Sequence, residues 1–132
     1  MKSFFFIILS VLLLTSCGGS NKESIDIPHV DILVKNFVDD INTYRDGEIV
    51  LDSIVGIKEY NDHESFIVTK ITDIQSSKMN TRYMILIITK SNKGEVVVSG
   101  QTTVDSLKDV EHQINYVKKH NNGWDQSIDN NI

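Results

Sequence analysis

Apolar residues change their spacing repeatedly along this chain, and each change marks an element. After a dense opening run, Phe4 to Leu14, the first periodic stretch is Val30, Leu33, Val34, Phe37, Val38, Ile41 and Tyr44. Steps of three and four give one helical stripe, with Asp31, Lys35, Asn36, Asp39, Asp40 and Asn42 mostly on the other side, so a helix is predicted over 29–45. Pro28 is tolerated in a first turn, and Asp46-Gly47 supplies a stop in which glycine can take positive φ.

Between 48 and 60 the pattern is β-branched: Ile49-Val50-Leu51, Ile54-Val55 and Ile57. It is too interrupted for a helical stripe and predicts a first strand, with Gly56 marking a bulge or a close approach. Asn61-Asp62-His63 is a turn. A second strand follows over 66–74, with Phe66, Val68, Ile71 and Ile74 apolar, and Gln75 to Asn80 reads as a polar loop. The third strand, 82–90, contains six consecutive apolar residues, Tyr83 to Ile88. Such a run faces both sides of a sheet, so this strand is central and its second face needs a cover, either the C-terminal helix or a partner. Ser91 to Gly94 is a hairpin loop, and Glu95 to Ser99 is a fourth strand. Short successive connections favour an antiparallel meander.

Thr102-x-x-Asp105 has the form of a capping box opening a second helix, with Val104, Leu107, Val110, Ile114 and Val117 as its stripe. Lys118, Lys119 and His120 suit the negative end of its dipole. Asn121-Asn122-Gly123 ends it. The fold class is therefore α+β: a helix, a four-stranded antiparallel meander and a C-terminal helix packed on the sheet. The order of one long helix then a meander resembles the cystatin-like and NTF2-like folds, a likeness of element order only, from which the second helix departs.

The opening run carries a different kind of information. Lys2 followed by about eleven apolar residues has the form of a secretory signal, and roughly half the length a bilayer-spanning helix needs. It ends in Leu14-Thr15-Ser16-Cys17-Gly18, which resembles the lipobox of bacterial lipoproteins. The resemblance implies diacylglycerol on the Cys17 sulfur, removal of residues 1–16 and acylation of the new amino end. Segment 17–27 is then a lipidated, flexible tether, 28–124 one domain and 125–132 a loose tail. Gly18 is not the aspartate associated with inner-membrane retention, which points to the outer membrane and leaves its face open. Two or three acyl chains give lasting membrane residence, at about 0.8 kcal/mol per buried methylene.

Composition narrows the partners. Cys17 is the single cysteine, so no intramolecular disulfide forms and an exported domain must rely on its core. Loss of residues 1–16 takes only Lys2 among the charged residues and leaves 12 basic against 18 acidic side chains, a formal charge of −6. That balance disfavours nucleic acid and anionic lipid headgroups.

Candidate chemistry is sparse. His29, His63, His112 and His120 form no H-x-x-x-H or H-E-x-x-H. His112 and His120, eight apart, lie about 12 Å apart along a helix, too far to chelate together. Surface histidines and no metal are expected. Asp39-Asp40 and Asp26 offer no pair of carboxyls held at a defined separation. No G-x-S-x-G elbow or Gly-rich phosphate loop occurs. Neither catalysis nor a cofactor is expected. Trp124 either seals the core or stands exposed as a binding residue. Three roles remain open: a membrane-tethered protein-binding or accessory lipoprotein, toxin immunity included; an NTF2-like pocket protein or enzyme, with Thr69, Thr72 or Tyr83 aimed into a concave sheet face; and a structural envelope component.

Overall fold

The computed structural model describes residues 29–121 and 123–128. Helix α1 (Val30–Asn42) leads into strands β1 (Glu48–Glu59), β2 (Glu64–Gln75), β3 (Lys78–Lys90) and β4 (Val96–Val104), and helix α2 (Leu107–His120) follows. The strands form one antiparallel sheet in the order β1-β2-β3-β4. Alternate residues of β3 divide its apolar run between two cores. Met84, Leu86 and Ile88 join Ile67 and Ile71 of β2 beneath Val34 and Val38 of α1. Ile85 joins Phe66, Val68 and Val104 beneath Val110, Ile114 and Val117 of α2. The second face is thus covered by the C-terminal helix, and the architecture is three layers with the sheet in the middle.

The predicted stripe of the first helix packs against the sheet except for Tyr44, which lies beyond the helix end and is 84% exposed. Asn42 closes the helix onto β1. Its side-chain amide donates to the Ile49 carbonyl (2.9 Å), and the Ile49 N–H donates to its carbonyl oxygen (2.8 Å). Gly47 does not cap the helix. It opens β1 at φ 80°, where a Cβ would lie 2.4 Å from the Ile74 carbonyl oxygen, so both conformation and space require glycine.

The broken rhythm of β1 has a geometric cause. Leu51, Ile54 and Ile57, each three apart, pair with Ile71, Thr69 and Ile67, each two apart. Bulges between Leu51 and Ser53 and between Ile54 and Gly56 insert one residue each, and all three apolar side chains reach the α1 face. Val55 is the second inserted residue and stands half exposed. A similar irregularity opposite Ile87 and Ile88 in β4 puts Val96 and Val98 under α1 but Val104 under α2.

Two further sequence expectations are corrected. Gln75 to Asn80 is no loop: Gln75 pairs with Lys78, and Ser76 and Ser77 form a two-residue turn with φ 50° and 73°. Positive φ at both central positions matches the twist of a hairpin, and it is reached here without the usual asparagine or glycine. Nor does Thr102 cap α2. Thr102, Thr103 and Val104 extend β4, paired with Ile85, Met84 and Tyr83. The cap is Ser106, whose hydroxyl accepts from the Asp109 N–H at 3.1 Å. Leu107, in the first turn, is 54% exposed, and the buried side of α2 is Val110, Gln113, Ile114 and Val117.

The two threonine and serine frames separate experimentally. The Thr102 hydroxyl is buried with no hydrogen-bond partner among the described residues. Thr102→Val should therefore raise the unfolding free energy by about 1 kcal/mol, whereas Ser106→Ala should lower it by about 1 kcal/mol. Urea unfolding of the two variants measures both signs; a loss on Thr102→Val would contradict the assignment.

Candidate functional site

Cys17 and Asp26 lie outside the described residues. The other singled-out residues are dispersed. His29 sits at the start of α1 with φ 56° and makes no side-chain cap. His63 is in the β1–β2 turn, where its N–H donates to the Asn61 side chain. The His120 ring tilts against Tyr116, with ring centroids 4.2 Å apart. Asp39 pairs with Lys35 on the exposed side of α1 at 3.2 Å. Thr69 is buried beneath α1 and donates to the Met84 carbonyl, whereas Tyr83 belongs to the α2 core and Thr72 donates to Asp52. These three groups do not converge. Phe37 and Ile41 pack against the core beneath α1, filling the sheet face that a cone-shaped pocket would use. Among the described residues no group of three His, Cys, Asp or Glu is placed to hold a metal ion. No described helix is long and apolar enough to cross a membrane.

Trp124 seals the core. Its ring tilts against Phe66 at 6.5 Å, and Phe66 in turn stacks on Tyr60 at 4.9 Å. The chain beyond it is not loose at first, contrary to expectation. Gln113, buried on α2, donates to the Asp125 carbonyl (3.1 Å) and accepts from the Asp125 N–H (2.9 Å). The Asp125 carboxylate meets His112 at 2.7 Å and accepts from both the N–H and the hydroxyl of Ser127. Ile128 packs on the α2 core. Only residues 129–132 of the predicted tail lie outside the described residues.

Two clefts lie beside the helices. One, about 550 Å³, is an open groove between β1 and α2. Val68, Val110 and Ile114 give it an apolar floor, and Lys58, Glu111 and Lys118 a charged rim. The other, about 520 Å³, lies where α1 gives way to β1, against the β2–β3 turn. It adjoins a chain of charged groups that no local motif announces. Arg45 donates to Asp73 at 3.1 Å, and Arg82 lies 3.6 Å from the same carboxylate. Arg82 Nε also donates to Asp105 at 2.7 Å. The side chains of Arg45, Asp73 and Arg82 are each about nine-tenths buried, and Asp105 is exposed. These residues come from four separate segments. The signal for them is parity: Asp73 alternates with Ile71 and Ile67, and Arg82 with Met84 and Leu86, so both point under α1.

The chain matches no protein-family model, no curated protein and no solved structure.

The segment held by Gln113 has a pH signature. Hydrogen bonds from His112 first, then from Ser127, lower the Asp125 carboxyl from 3.8 to about 2. A depressed carboxyl stabilises the fold fully above its unfolded value, and that contribution is lost as pH falls through the folded value. Trp124 fluorescence should therefore report loosening of the segment between pH 3.8 and about 2. In Asp125→Asn that acid step should vanish; its persistence would assign it to another group.

Proposed function

We propose that this chain is a lipoprotein of the cell envelope, held to a membrane through lipid on Cys17, with its α+β domain serving as a protein-binding or accessory module. The observation that carries the reading is Leu14-Thr15-Ser16-Cys17 closing an apolar run too short to span a bilayer. Placing the only cysteine there suits acylation and leaves nothing for a disulfide. The domain's design is compatible with it. Both faces of the sheet are taken up by the protein's own helices, so contacts with other molecules fall to clefts and rims. Gly18 behind the cysteine, where the enterobacterial inner-membrane-retention pattern carries aspartate, favours an outer-membrane placement. The pocket reading has less support, because α1 fills the sheet face it needs.

The experiment is metabolic labelling with radioactive palmitate. Wild-type protein should carry label and sediment with membranes. Cys17→Ala should lose the label while the domain still folds. Label retained by Cys17→Ala would place acylation elsewhere and remove the basis of the reading.

A further inference from the structure

We propose that the cleft beside Arg45 binds a carboxylate. The Arg45 side chain is 8% accessible, and Nη2 donates to Asp73. Its Nε and Nη1 are buried with no hydrogen-bond partner among the described residues. A buried guanidinium with idle N–H groups is costly, and an acceptor entering through the cleft would relieve that cost as the Arg45 side chain turns toward it. Asp73 is shared between Arg45 and Arg82, and the further acid, Asp105, lies on Arg82 and is 66% exposed. Asp105 thus answers Arg82, and Arg45 has only its share of Asp73.

Arg45 itself lines the cleft, together with Tyr44, Asp46, Gly47, Gln75 and Ser76. Gln75 and Ser76 bring neutral polar groups to the wall opposite. Tyr44 is 84% exposed at the same place and offers a ring to the body of the ligand. Gly47 keeps the wall close to β2, where no side chain fits. Asp46 works against anions, and against a doubly charged phosphate more than a singly charged carboxylate. The planar guanidinium likewise matches a planar carboxylate. The carboxylate belongs either to a free small acid or to an acidic side chain of a protein partner, and in the second case the site lies within the binding module proposed above.

The test uses the full-length protein in detergent, labelled with ¹⁵N, with the Arg45 Nε–H resonance followed by NMR. It is titrated with sodium acetate, a capped glutamate, an acidic peptide, sodium phosphate, and sodium chloride at matched ionic strength. The carboxylates should give a saturable shift and raise the melting temperature, and chloride should do neither. Arg45→Lys should weaken binding about tenfold or more, since an ammonium loses the planar fork. Asp46→Asn, an exposed change, should tighten it and guards against misfolding of the lysine variant. A peptide binding at least about tenfold tighter than acetate assigns the site to a protein partner, and similar affinities assign it to a small acid. No saturable shift with any carboxylate would overturn the proposal. So would saturation by phosphate alone, or affinity unchanged in both variants. Palmitate labelling is independent of these outcomes, so failure here leaves the lipoprotein reading standing.

Discussion

The fold depends on burying both faces of one strand. Tyr83 to Ile88 offers six apolar side chains in succession, and a strand sends them alternately to opposite sides. A single-layer cover would leave one row in water, at roughly 25 cal/mol for each Å² of apolar surface. Two helices are the consequence, and the rest of the chain is arranged to deliver them. α1 arrives first and is pinned to β1 through Asn42 and Ile49. α2 arrives last, after β4 has run far enough beside β3 to place Ser106 on the opposite side of the sheet from α1. Phe66, Trp124 and Ile128 then close the α2 core, with Gln113 and Asp125 fixing the chain that carries the tryptophan.

Much of this was legible in the sequence, because helical stripes and doubly apolar strands are consequences of local periodicity. What escaped was set by pairing over distance. The steps of three in Leu51, Ile54 and Ile57 resolve once two bulges are in place; Gly56 marked the second in the sequence, and only the partner strand reveals the first. Ser76-Ser77 lacks the glycine or asparagine that ordinarily announces a two-residue hairpin, so its six-residue neighbourhood read as a loop. Thr102-x-x-Asp105 and Ser106-x-x-Asp109 are rival caps in sequence. Pairing of Thr102 to Val104 with β3 decides between them. The Arg45–Asp73–Arg82–Asp105 chain spans four segments, and no spacing rule joins them.

The same organisation shapes what the surface can do. With each sheet face committed to a helix, the open clefts lie at the margins: the groove between β1 and α2, and the cleft lined in part by the largely buried Arg45. The charged side chains buried here, Arg45, Asp73 and Arg82, lie at the end of the sheet where α1 stops.

The most direct test of the two-faced sheet is a matched pair of truncations in β3. Leu86 faces α1 and its neighbour Ile85 faces α2, and both are fully buried. Leu86→Ala and Ile85→Ala should each lower the unfolding free energy by about 2–5 kcal/mol in denaturant titrations, with similar denaturant slopes. If Ile85→Ala were nearly silent while Leu86→Ala was severe, the second core would not exist and the three-layer description would fail.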